Sequence, residues 1–310
     1  MPKLIIYQER FMKYQTILET IGNTPVVELP SFSPHAGVKI LAKLEGSNPG
    51  GSIKDRIALY LIEDAEKKGL IKKDTILLEA TSGNTGIGLA MVAAVKGYKF
   101  MAVMPESASL ERRQILKQFG AEIVLTDGAR GTNYAIEIAH QMLAEDKRYL
   151  MLDQFANEAN VLSHYETTGK EIVEQVPDIT HFVAGMGTGG TLMGVGRKLK
   201  ESKPTVMVIG IEPPAGSTIQ GLRNMAAYTP PIYHPELLDG ELNVKDDEAF
   251  ALAREVYKRE GISVGISSGA ALWGAITVAK KIKSGTVVTI FPDRGDRYVS
   301  TSLFAKSEGK

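Results

Sequence analysis

The sequence predicts an α/β fold: two doubly wound lobes with mostly parallel sheets and a ligand cleft between them. Three observations carry this. Short β-rich runs alternate with longer helical patterns, which calls for parallel βαβ units. Glycine-rich turns at 81–86, 185–191 and 265–270 each lead from an extended run into a helix. The alternation passes through one series up to Leu152, then resumes beyond a long helix near Val161–Val176. Doubly wound folds hold their ligands in a crevice at the strand ends.

The elements follow in order. Residues 1–12 read as an N-terminal extension or as an arm on a neighbouring subunit. Ile21–Leu29 is a turn entering a strand, and Val38–Leu44 is a second strand. In Asn48-Pro49-Gly50-Gly51-Ser52 the proline stops what precedes it and Ser52 caps a helix. That helix carries Ile53, Ile57, Ala58, Leu61, Ile62 and Ala65 on one face. Strands are expected at Thr75–Glu79, Phe100–Met104, Glu122–Leu125 and Tyr149–Leu152. The helices between them are Ile87–Lys96, a segment capped by Ser109 and ending near Phe119, and Tyr134–Ala144. After the long helix come strands His181–Ala184, Val206–Glu212 and Thr286–Phe291. Their helices are Leu192–Lys200, Asp246–Arg259 and Ala270–Ile282. Residues 213–243, with five prolines and poor periodicity, read as a long loop or lid.

Composition removes several classes of function. Of 310 residues, 44% are hydrophobic, enough for a large core in two lobes. Thirty-six basic residues balance thirty-six acidic ones, which argues against nucleic acid or an anionic membrane as partner. No apolar run has the length of a membrane span and the start of the chain lacks a signal-peptide pattern, so a cytoplasmic setting is expected. Cysteine is absent, which removes disulfides and thiol nucleophiles. The five histidines show no pair at ligand spacing, so no metal site is expected.

Four pieces carry chemistry. Lys54 falls in the first turn of its helix, where the dipole opposes its charge. It reads either as a solvated surface lysine or as a Schiff-base lysine whose proton is made easier to lose by burial. Thr81-Ser82-Gly83-Asn84-Thr85-Gly86 offers hydroxyls, an amide and backbone N–H groups to a carboxylate, or is a plain βα turn. Gly185-Met186-Gly187-Thr188-Gly189-Gly190-Thr191 lets the backbone wrap an anion. It also satisfies G-x-G-x-x-G with Glu212 beyond it, so an NAD-dependent oxidoreductase using Gly185–Gly190 is the rival reading. Gly265-Ile266-Ser267-Ser268-Gly269-Ala270 presents a serine hydroxyl that could meet a ring nitrogen or merely cap a helix.

Taken together and in this order, the four pieces resemble the fold-type II pyridoxal-phosphate enzymes, and within them the cysteine synthase family, over about Thr20 to Phe304. The resemblance implies pyridoxal 5'-phosphate as cofactor, bound in the cleft. Lys54 would be the Schiff-base lysine and proton shuttle, and Asn84 would meet the ring oxygen. Gly187, Thr188, Gly189, Gly190 and Thr191 would hold the phosphate, and Ser267 the pyridine nitrogen. Thr81, Ser82, Thr85 and Gln154 would take the substrate carboxylate. Residues 48–157 would form a smaller, mobile substrate-carboxylate lobe, with 13–47 and 158–310 forming the larger cofactor-phosphate lobe. The implied reaction is β-replacement through an aminoacrylate, making L-cysteine from an activated serine and sulfide or another sulfur donor, in a homodimer.

Asp293-Arg294-Gly295-Asp296-Arg297-Tyr298 is similar to the B branch of the family, and the Gly221–Met225 stretch is similar to relatives that accept O-phosphoserine rather than O-acetylserine. By that likeness Arg223 would meet the substrate phosphate, a dianion that suits a guanidinium. Otherwise Arg223 pairs with an acid on the lid. Condensation with homocysteine, as in the cystathionine β-synthases, is the nearest alternative activity.

Overall fold

The computed structural model describes residues 13–81 and 83–304, so the extension expected over 1–12 and the candidate Ser82 lie outside the described residues. Strand β1 (Val26–Glu28) runs antiparallel to β2 (Val38–Leu44). Helix α1 (Lys54–Lys67) follows, and the Ser52 hydroxyl accepts the Lys54 amide at 3.2 Å, which caps it as expected. Its apolar stripe, Ile57, Ala58, Leu61, Ile62 and Ala65, is buried throughout.

The chain then builds a four-stranded parallel sheet. β3 (Ile76–Ala80), α2 (Asn84–Lys96), β4 (Lys99–Pro105), α3 (Leu110–Gln118), β5 (Glu122–Thr126), α4 (Gly131–Glu145) and β6 (Tyr149–Met151) follow in sequence, with strand order β5-β4-β3-β6. Alternation along β4 sends Phe100, Ala102 and Met104 to the core beneath α1 and α2, and Met101 and Val103 to the core beneath α4. Ser109 precedes α3 but does not cap it: its hydroxyl reaches across to donate to the Arg297 carbonyl at 3.0 Å.

The long helix expected over Val161–Val176 is a composite: α5 (Ala159–Ser163), a π-helical turn (His164–Gly169) and α6 (Lys170–Gln175). Periodicity cannot report one inserted residue per turn when the flanking turns stay in phase. β7 (His181–Gly185), α7 (Gly190–Ser202) and β8 (Met207–Glu212) resume the alternation. Within the segment read as a loop or lid lies a further strand, β9 (Gly240–Asn243), parallel to β8. Gly-Glu-Leu-Asn has no β-branched residue to mark it, and as an edge strand it needs one neighbour only. Helices α8 (Asp246–Glu260) and α9 (Ile266–Ala279) and strand β10 (Gly285–Phe291) complete the chain. α9 begins four residues before the expected start, because the glycine-serine motif is its first turn.

The second sheet has order β1-β2-β10-β7-β8-β9 and is parallel except at β1. Val287 and Phe291 of β10 join the core under α8 and α9; Val288 and Ile290 join the one under α7. Each sheet reverses its winding once, between β3 and β6 and between β7 and β10. The turns that carry Thr81–Thr85, Gln154 and Gly187–Thr191 leave β3, β6 and β7 at their carboxyl ends, where a doubly wound sheet opens a crevice.

Candidate active site

A cavity of about 670 Å³ opens at these strand ends. From the side of the smaller sheet Lys54, Asn84, Thr85 and Gln154 line it; from the larger come Gly187, Thr188 and Arg223. Seven of the thirteen candidates thus face one cavity.

Lys54 keeps partial exposure to the cavity, yet its amine lies deep enough for burial to push its pKa down to about 8. Asp293 opposes that shift. No ion pair or hydrogen bond holds the amine among the described residues, so a neutral amine is available near neutral pH. Asn84 opens α2, with its Nδ2 donating to Asp293 Oδ2 at 2.6 Å and its Oδ1 accepting from Arg297 Nη1 at 2.7 Å.

The carboxylate candidates divide into two kinds. The Thr85 hydroxyl donates to Gln154 Oε1 at 2.6 Å, and Gln154 Nε2 donates to the Ala80 carbonyl at 3.0 Å, which locks both side chains at the cavity. Thr81 is instead turned into its own loop, accepting the Gly83 and Gly86 amides at 3.0 and 3.2 Å, and does not line the cavity. Beneath them Glu79 is buried and pushed up to about 8 by desolvation, and it accepts the Gln154 amide at 3.3 Å.

Gly187–Thr191 wraps the start of α7, where the helix dipole favours an anion and the Gly190 amide donates to Thr188 Oγ1 at 3.3 Å. Asn160 donates to Thr188 Oγ1 at 3.0 Å and lies so close to Gly190 that a Cβ there would overlap its carboxamide. Gly189 adopts φ +88°, which other residues avoid. A left-handed Gly189, a Gly190 with no room for a Cβ, an unpaired buried amine and a helix N-terminus together fit a phosphate-bearing aldehyde. Ser267 stands in the first turn of α9, buried, its hydroxyl without a partner among the described residues, and off the cavity wall.

Arg223 donates to Asn133 Oδ1 at 2.9 Å, and its guanidinium lies over the rings of Phe155 and Tyr228, 4.7 and 4.5 Å from their centroids. Burial pushes its pKa down. No carboxylate pairs with it among the described residues, so the acid on the lid is not there.

Sequence reasoning missed Arg112, which is buried, lines the cavity, bonds Gln220 and stacks on the Tyr298 ring at 4.6 Å. It also misses what Asp293 and Arg297 do: the sequence offers them as a branch marker, and the structure has them hold Asn84. The missed signal was the pair of arginines and aspartates flanking Gly295, too many charges for a segment so apolar before it. Glu212, which the dinucleotide reading would place on a ribose, accepts the Met225 amide at 2.9 Å.

The profile of the pyridoxal-phosphate dependent enzyme family matches residues 17–293. Cysteine synthase B of Salmonella typhimurium is 47% identical over 293 residues, 94% of this chain and 96% of that protein. The crystal structure of cysteine synthase from Entamoeba histolytica superposes with a TM-score of 0.91 at 39% identity, covering 100% of this chain and 96% of that one. O-ureido-L-serine synthase superposes with a TM-score of 0.90 at 38% identity, covering 96% and 98%.

Proposed function

Since this chain belongs to the pyridoxal-phosphate dependent enzymes, and among them to the cysteine synthases, we propose that the residues gathered at the cavity divide its reaction between them. The reaction is the formation of L-cysteine from an activated serine, with pyridoxal phosphate as cofactor, and the oxidoreductase alternative falls with that result.

When bound, the cofactor supplies an electron-withdrawing ring that eases loss of the α-proton and then of the β-substituent from an amino acid joined to it. The protein's part is binding, orientation and proton transfer. Gly187–Thr191 hold the phosphate on the amides that open α7. Lys54 would hold the cofactor's aldehyde through its neutral amine, water leaving as the two join; when free, the same amine would take the substrate α-proton at Nζ and later return it. Thr85 and Gln154, already bonded to one another, fix the substrate carboxylate together with Ser82, while Thr81 shapes their loop by accepting its amides. Asn84 orients the ring oxygen and Ser267 meets the pyridine nitrogen without charging it. A neutral partner there limits side reactions: Ser267→Asp should raise transamination products relative to cysteine, and an unchanged product mixture would refute the role. Residues 48–157 thus form the carboxylate-binding lobe and the remainder of 13–310 the phosphate-binding one. We assign a homodimer and a cytoplasmic setting on the family likeness alone.

The unpaired charge of Arg223 at the cavity carries the substrate assignment. A guanidinium pinned between two rings and facing no acid suits O-phosphoserine better than O-acetylserine. Arg223→Ala should cut kcat/KM for phosphoserine by about 10- to 100-fold, the worth of one charge-assisted contact. Acetylserine turnover should change far less, and equal losses would overturn the assignment. The visible spectrum tests the whole reading at once. A yellow protein whose band shifts on adding O-phosphoserine is expected; one that stays colourless with added pyridoxal phosphate would defeat the roles given to Lys54 and the cradle.

A further inference from the structure

His164 opens the π-helical turn between α5 and α6 and is wholly buried. π-turns give up regular hydrogen bonding and recur where a side chain must be placed for a purpose. This one is pressed against α7 at Gly194, where a Cβ would overlap the Val161 carbonyl and the His164 Cβ. Each ring nitrogen faces a threonine hydroxyl: Nδ1 is 3.0 Å from Thr168 Oγ1, and Nε2 is 3.3 Å from Thr191 Oγ1. Thr191 belongs to the first turn of α7 and to the phosphate cradle assigned above.

Burial, with Lys54 and Arg56 adding to it, drives the imidazole pKa well below its usual range, so the ring is neutral and carries a single N–H. Two arrangements satisfy both contacts. In one, Thr191 donates to Nε2 and Nδ1–H donates to Thr168; the Thr191 hydroxyl then turns only lone pairs to the cradle and repels an anion. In the other, Thr168 donates to Nδ1, Nε2–H donates to Thr191 Oγ1, and the Thr191 proton is left free to point into the cradle. A phosphate selects the second.

We propose that His164 is a positioning residue which, in the tautomer the phosphate selects and with Thr168 donating to Nδ1, holds the Thr191 hydroxyl as an outward donor to the cofactor phosphate. This rests on the assignment of Gly187–Thr191 to the phosphate. The relay costs no charge, and its only output is the direction of one hydroxyl. It therefore acts on phosphate-bearing ligands and on no others.

The test measures binding to the full chain freed of cofactor, by visible absorption, with pyridoxal phosphate and with pyridoxal, which lacks the phosphate. His164→Phe should weaken pyridoxal phosphate by about tenfold, the worth of one hydrogen bond to a charged group, and leave pyridoxal within about twofold. In a Thr191→Val background the same substitution should add nothing. Thr168→Val, which preserves shape, should give a smaller loss with the same selectivity and serves where the phenylalanine variant does not fold. The ¹⁵N shifts of the ring with the cofactor bound should report a proton on Nε2. Equal losses for both ligands, no loss at all, or a proton on Nδ1 would overturn the relay. A Thr191→Val protein with an unchanged preference for the phosphorylated ligand would instead remove the cradle assignment beneath it.

Discussion

Replacing Lys54 with alanine lowers cysteine formation by about 10³-fold or more, in the upper range for loss of a general base, while unfolding by heat is little changed. The second half follows from its setting: the amine has no partner among the described residues, so its removal orphans nothing. Sign and window of the pH dependence come from the same burial. Desolvation lowers the amine pKa to about 8 against the smaller, opposing pull of Asp293. Protonation therefore removes the nucleophile as pH falls through about 8. Capture of pyridoxal phosphate by the cofactor-free protein should slow about tenfold for each unit below that point and level off above it. Asp293→Asn removes the one charge that raises Lys54 and should move the midpoint lower. A capture rate independent of pH between about 6 and 8 would mean that Lys54 is not the group that reacts.

What could be read from the chain was what is local. Apart from β9, the strands of both sheets show in runs whose alternate residues serve opposite cores, as Phe100 and Met101 do, and the glycine turns mark the strand ends. The cradle at Gly187–Thr191 was legible because backbone approach needs glycine whatever the surroundings. Arg112 was not, since its place in α3 suits an exposed helix equally well and only the return of the C-terminal segment puts Tyr298 beneath it. His164 was hidden for a related reason. Its meaning lies in Thr191, 27 residues away and on another helix. Thr81 went the other way: a hydroxyl in a glycine loop reads as a ligand group, but the loop's own amides take it first. Side chains committed to distant partners, or withheld by near ones, leave no periodic trace.

Arg56→Ala should lower stability by about 3–5 kcal/mol at neutral pH, the largest effect of any single substitution considered, because it leaves buried carboxylates short of their counter-charge. Arg56 stands two residues beyond Lys54 on α1 and is 1% exposed. It forks onto Glu45, just past β2, at 2.8 and 2.9 Å, and onto Glu171 of α6 at 2.6 and 2.8 Å. Lys43 of β2 adds a second cation at 2.8 Å from Glu171. The helix that carries Lys54 is in this way riveted to the larger sheet. Burial by itself would raise the pKa of Glu171, but the Arg56 and Lys43 contacts outweigh it and bring it to about 2; Glu45 is lowered by the same contest. Both carboxylates thus bind fewer protons folded than unfolded. Their contribution is complete above the ordinary carboxylate range and is lost as pH falls through it toward about 2. Without Arg56 the balance tips back to burial, and a proton on either acid relieves the variant. The gap in urea midpoint between wild type and Arg56→Ala should therefore narrow from pH about 7 to about 4.5. Arg56→Lys should not restore the midpoint, since an ammonium cannot fork onto two carboxylates. A gap of constant size across that range would show that the loss is one of packing, with the charges already compensated by Lys43.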